Sequence, residues 1–161
     1  MLLFNGTGST ILQSKVLIIG ATNRPKGLDD PARRRFVKRI YIPLPRAVVR
    51  MILLQTLLSK DKNSLTEREI QDLSRDTEGF SGADLKALYM DATLWPIRCL
   101  SSSRKSLEDV DVSVVAPISY KHFQLSLRGM KPSVCQDDLD NNVKFDETCG
   151  SKPVVFDDED L

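Results

Sequence analysis

At 161 residues, with 41% hydrophobic and 28% charged content, the chain carries enough apolar material for one domain core. Its formal net charge of +1, from 23 basic and 22 acidic side chains, supplies no overall field that calls for direct nucleic-acid or membrane binding. Three distant cysteines, Cys99, Cys135 and Cys149, and a single histidine, His122, give neither a disulfide framework nor metal-ligand spacing, so no metal site is expected.

The opening apolar run, residues 1–4, is too short for a signal peptide, and the Gly-, Thr- and Ser-rich residues after it read as a loop. Val16 to Gly20 is a continuous β-branched run, the pattern of a strand buried on both faces of a parallel sheet. A second strand is expected from Arg39 to Ile42, stopped by Pro43, which cannot donate to a ladder. Two strands do not make a covered sheet, so further strands are expected from upstream or from elsewhere. After Pro45 the spacing becomes helical, with Val48, Val49, Ile52, Leu53 and Leu57 as the expected apolar face. Thr66 and Glu69 predict a capping box that opens a second helix, with Ile70, Leu73 and Thr77 inward and a stop at Gly79. Ser81 opens a third, with Asp84 in its first turn and Leu85, Leu88, Tyr89 and Ala92 on one face; Trp95 and Pro96 are expected to end or kink it. A Ser-rich loop over 100–112 leads to a helix from Ser119 to Arg128, carrying Tyr120, Phe123, Leu125 and Leu127.

From Lys131 the periodicity is lost. Between Gln136 and Leu161 nine acids face two lysines, which predicts a solvated or disordered tail. The opposite charge gathers upstream, where Arg24, Lys26, Arg33, Arg34, Arg35, Lys38 and Arg39 face only Asp29 and Asp30. No stretch approaches the ~18 apolar residues of a membrane span, so a soluble intracellular protein with reduced thiols is expected.

The run Gly20-Ala21-Thr22-Asn23-Arg24-Pro25 after the first strand resembles a signature of AAA+ ATPases. It is followed at family spacing by Leu28-Asp29-Asp30, Arg33-Arg34-Arg35-Phe36, Ile42-Pro43-Leu44-Pro45 and Gly79-Phe80-Ser81-Gly82-Ala83-Asp84-Leu85. Five ordered blocks identify the chain as a member of that superfamily. Ala32 to Pro45, Pro96 to Arg98 and Pro117 to Val134 resemble the microtubule-severing clade, the fidgetin-like 1 group more than spastins or katanins. The resemblance covers roughly residues 1–150, the C-terminal part of the module. It implies an α/β remnant (1–44) from the end of a parallel P-loop-type sheet, an α-helical lid bundle (45–134), and a degenerate C-terminal helix with an acidic tail (135–161). The family closes on a helix bearing Tyr, Trp and Phe; the equivalents here are Asn142, Phe145 and Cys149, which puts docking of that helix and hexamer assembly in question.

Asn23 matches the family's sensor 1, an amide at the carboxyl end of a strand that holds the attacking water or γ-phosphate; the same residue also suits a local turn before Pro25. Arg34 and Arg35 match its arginine fingers, guanidinium forks that neutralise the charge of phosphoryl transfer on ATP held by a neighbouring subunit. A basic run also suits a solvated face. Arg33 receives no role. Gly82 and Ala83 match an adenine contact, and equally suit a tight helix start.

ATP and Mg²⁺ are implied by the family, yet these 161 residues hold no Gly-rich loop with Lys and no acidic pair ahead of sensor 1. Gly6 to Thr10 has no lysine, and Val154 to Glu159 lies far beyond sensor 1. The expectation is a portion of a fidgetin-like ATPase that is inactive alone. The family role is ATP hydrolysis coupled to microtubule severing or recombination-complex remodelling, in a hexamer, in nucleus or cytoplasm, with tubulin or recombination proteins as partners. The alternative is a non-catalytic subunit that joins rings of a full-length relative and tunes them.

Overall fold

The structure, a computed structural model, describes residues 2–4, 17–101 and 115–151. The Ser-rich loop beyond Ser101, the Gly6–Thr10 segment and the Val154–Glu159 segment lie outside the described residues. The chain forms two compact units, Leu44–Val134 and a second built from Met1–Pro43 with Cys135–Leu161.

In the second unit three short strands, β1 (Leu2–Phe4), β2 (Ile18–Gly20) and β3 (Phe36–Arg39), form a sheet in the order β2-β1-β3. Leu3 pairs with Ile19 on one side and with Lys38 on the other, both antiparallel. The expected parallel pairing is therefore corrected: β2 and β3 run the same way, but β1 lies between them and supplies both ladders. An apolar run carries no information about the direction of its neighbour, so nothing local supported the parallel expectation. Ile19 is 52% exposed and Leu17 63%, so the strand expected to be buried on both faces is not covered among the described residues. β3 also begins earlier than expected, and Ile40 to Ile42 are irregular.

Helix α1 (Asp30–Arg35) follows a 3₁₀ turn at Pro25–Gly27. Asp29 caps it, accepting the Ala32 N–H at 2.9 Å, with Pro31 pre-set in the first turn. Its last turn is Arg33, Arg34 and Arg35, cations at the negative end of the helix dipole. The segment that composition read as a tail, and the resemblance as a degenerate C-terminal helix, forms helix α6 (Gln136–Cys149). Asp137 and Asp138 suit its N-terminus, and only Leu139, Asn142, Phe145, Asp146 and Cys149 are half-buried, too sparse a stripe to register as periodicity.

The unit Leu44–Val134 contains α2 (Ala47–Leu58), α3 (Glu67–Asp76), α4 (Gly82–Ser101) and α5 (Tyr120–Leu127). The capping box at Thr66 forms as expected: Glu69 Oε2 accepts the Thr66 N–H at 2.7 Å and Thr66 Oγ1 accepts the Glu69 N–H. Gly79 ends the α3 turn at φ +79°, a backbone state glycine adopts without cost. Leu54, Leu73, Leu85, Leu88, Ala92 and Phe123 make the fully buried centre. α4 does not end at Pro96 but runs on to Ser101; Pro96 is buried, and the packing of α4 on α5 offsets one lost ladder bond.

Only part of the face that the periodicity of helix α2 suggested turns inward: Leu53 and Leu57 are half-buried against the core. Val48, Val49 and Ile52 are exposed, whereas Arg50, Leu54 and Leu58 are buried. Arg50 decides the orientation: its guanidinium donates Nε and Nη2 to the Ser74 carbonyl at 2.9 and 2.7 Å and Nη1 to Pro45 O at 2.7 Å. A buried cation without these acceptors would be unstable, and the carbonyl at the end of α3 suits it.

At the start of α5, His122 occupies the place of a capping-box glutamate. Its Nδ1 accepts the Ser119 N–H at 3.1 Å, which leaves the proton on Nε2. Burial holds this imidazole below its ordinary value, and Lys121 adds to the effect. The unfolded chain therefore binds a proton at higher pH than the folded one. Stability is complete above the unfolded value of 6.5 and declines as pH falls through the lower folded value. Lowering pH from about 8 to about 5 should lower the thermal midpoint of this unit. His122→Gln, which keeps an acceptor, should abolish that component; an identical pH profile in the variant would refute the assignment.

Candidate functional site

Asn23 follows β2 in a turn where Thr22 Oγ1 accepts the Arg24 N–H at 3.0 Å. Its exposed side chain lines a cavity of about 280 Å³ with Ala21, Tyr41, Ile42, Asn142 and Phe145. Two of the three positions matched to the family's aromatic anchors, Asn142 and Phe145, thus line this space.

Arg34 and Arg35 are exposed at the end of α1, and neither guanidinium has a hydrogen bond or ion pair among the described residues. Arg33, by contrast, pairs with Asp30. Arg35 borders a different concavity, shared with Ile18, Asp29, Ala32 and Phe36. The structure therefore puts Asn23, Arg34 and Arg35 in one unit, with Asn23 and Arg35 at separate hollows, while Gly82 and Ala83 belong to the other unit.

Gly82 and Ala83 form the exposed first turn of α4. A second reciprocal cap fixes that turn: Ser81 donates its N–H and hydroxyl to Asp84 Oδ2, both at 2.8 Å, and Ser81 Oγ accepts the Asp84 N–H. Burial pushes the Asp84 carboxyl up, but bonds from Ser81 and Ser133 outweigh it and hold the group below the usual carboxylate range. A methyl group at Gly82 would meet nothing nearer than Leu53 Cδ2 at 3.9 Å. Internal packing therefore does not require a glycine there, which leaves room for close approach from outside. Asp84 was read from the sequence only as a favourable first-turn charge; its role in shaping this turn is a further one, signalled by the Ser-x-x-Asp spacing.

Three family descriptions match in chain order. Residues 1–44 match the ATPase family associated with various cellular activities (AAA), 68–113 the AAA+ lid domain, and 100–150 the Vps4 C terminal oligomerisation domain. Among curated proteins, spastin of Xenopus tropicalis is 43% identical over 140 residues, 87% of this chain and 23% of that protein. Fidgetin-like protein 1 of Homo sapiens is 39% identical over 142 residues, 88% of this chain and 21% of that protein.

The chain belongs to the AAA family of ATPases.

Its fold agrees with solved AAA relatives. The FIGL-1 AAA domain in complex with ADP superposes with a TM-score of 0.74 at 34% identity, covering 81% of this chain and 44% of that one. A structure described as the basis for katanin self-assembly gives 0.65 at 27% identity, covering 74% and 43%. The chain thus spans under a quarter of the curated relatives and under half of the solved domains. The likeness supports the α/β remnant followed by a helical lid.

The side chains present fit an AAA nucleotide only in part. An exposed amide, two unpartnered guanidinia and an open helix start suit the periphery of a nucleotide. A phosphate cradle with lysine does not occur in these 161 residues. Among the described residues no three His, Cys, Asp or Glu side chains gather to hold a cation.

Proposed function

We propose that this chain serves as the sensor, finger and lid portion of a fidgetin-like or spastin-like AAA ATPase, acting on a nucleotide whose phosphates are held outside these residues. Arg34 and Arg35 reach ATP bound by a neighbouring subunit, Asn23 acts as sensor 1, and Gly82 and Ala83 contact adenine. The observation that carries this reading is the pair of exposed guanidinia at the end of α1, without partners among the described residues, in a stretch of 161 residues that holds no phosphate loop. The separation of Asn23 from Arg35 into two hollows supports it, since a sensor and a finger serving different nucleotides do not share one site.

By itself the chain is inactive. In an AAA ring it serves ATP hydrolysis with Mg²⁺, coupled to microtubule severing or to remodelling of recombination complexes, in nucleus or cytoplasm. The match to an oligomerisation domain over 100–150 favours a second reading alongside the first, a non-catalytic subunit that joins rings of a full-length relative and modulates them. Both readings are tested by mixing the chain with an intact fidgetin-like or spastin AAA domain and following ATPase rate and sedimentation. Co-assembly with a changed rate is expected; no co-assembly and an unchanged rate would remove both.

A further inference from the structure

Arg39, at the end of β3, is held by three backbone carbonyls. Its Nε donates to Phe36 O at 3.1 Å, Nη2 to Arg33 O at 2.9 Å and Nη1 to Cys149 O at 2.8 Å. Its own backbone is bridged in both directions to Ser151: the Arg39 N–H donates to Ser151 Oγ at 3.1 Å, and the Ser151 N–H to Arg39 O at 2.8 Å. Arg33 O and Cys149 O are among the last carbonyls of α1 and α6, which have no partner within their helices. One planar cation thus satisfies the negative ends of two helices more than a hundred residues apart in sequence. The carbonyl it grips on α1 belongs to the residue immediately before Arg34.

We propose that Arg39 is a positioning residue that clamps the finger-bearing turn of α1 to the end of α6, so that the aim of Arg34 and Arg35 depends on docking of the C-terminal helix. The functional half of this rests on the finger reading above; the clamp itself does not. α6 lies within the stretch matching an oligomerisation domain, so the clamp links the element assigned to assembly with the groups assigned to trans chemistry. A lysine keeps the charge but has no fork for three divergent acceptors.

The test is amide hydrogen exchange on the full chain carrying Arg39→Lys, Arg39→Gln, Ser151→Ala or Phe145→Ala. Each should speed exchange at both the end of α1 and the end of α6 by about tenfold, the ratio of one lost charge-assisted bond, with α3 and α4 unchanged. Ser151→Ala and Phe145→Ala loosen α6 without touching the guanidinium and decide the matter if the Arg39 variants fail to fold. Faster exchange at α6 with α1 unaffected would overturn the clamp. In mixtures with an intact AAA domain, Arg39→Lys should lower kcat at unchanged KM for ATP, as Arg34→Ala does. A mixture indifferent to Arg34→Ala but showing coupled exchange refutes the fingers and leaves the clamp standing.

Discussion

Phe123→Ala should cost the unit Leu44–Val134 about 3–5 kcal/mol, because a fully buried aromatic ring is removed and the cavity left behind collapses only in part. Phe123 is among the largest side chains with no exposure, in the buried cluster and on a helix that packs against α4. With total stabilities commonly ~5–15 kcal/mol, this is a large share. Urea denaturation should show a midpoint lowered by at least ~1 M with little change in slope. Val49→Thr on the exposed face of α2 should by contrast change stability by no more than ~0.5 kcal/mol. Equal losses for the two variants would mean that α2 packs by Val48, Val49 and Ile52 after all, and that Arg50 does not set its orientation.

The second large effect is kinetic. A finger supplied in trans is worth ~10³–10⁵ in rate, since the guanidinium meets charge that develops only in the transition state. At every interface where this chain faces an intact subunit's ATP, Arg34→Ala or Arg35→Ala should therefore lower kcat by about 10³ with a small change in KM. Replacement by lysine should recover little, because a point charge does not reproduce the two directed bonds of the fork. The measurement is the ATPase rate of an intact AAA domain saturated with wild-type or variant chain, with sedimentation showing equal incorporation. Wild type and alanine variants giving the same rate would remove the finger role from both residues.

What the sequence disclosed was mostly local. The box at Thr66 needs only a three-residue spacing, and the buried faces of α3 and α4 need only helical periodicity, so Ile70, Leu73, Leu85 and Leu88 were placed correctly. Where distant partners decide, the reading went astray. α2 is apolar nearly all round, and its orientation depends on the Ser74 carbonyl, 24 residues from Arg50. β2 and β3 were located approximately, but their antiparallel partner is a three-residue strand that composition does not betray. α6 was obscured by its acidity and its few inward residues.

The candidate site divides along the same line. Asn23, Arg34, Arg35, Gly82 and Ala83 stood out because they sit in ordered family blocks, and their exposure leaves them available to act. Arg39 looked like one more cation in a basic run. Its importance lies in three carbonyls, one of them 110 residues away, and no local pattern announces such a link.

The claim at the centre of the account is that these residues serve a triphosphate they do not themselves hold. Calorimetric titration of the purified chain with Mg²⁺ and ATP, with phosphate release followed in the same sample, tests it most directly. The account predicts no micromolar affinity and no turnover. Micromolar binding with phosphate release by the chain alone would contradict it.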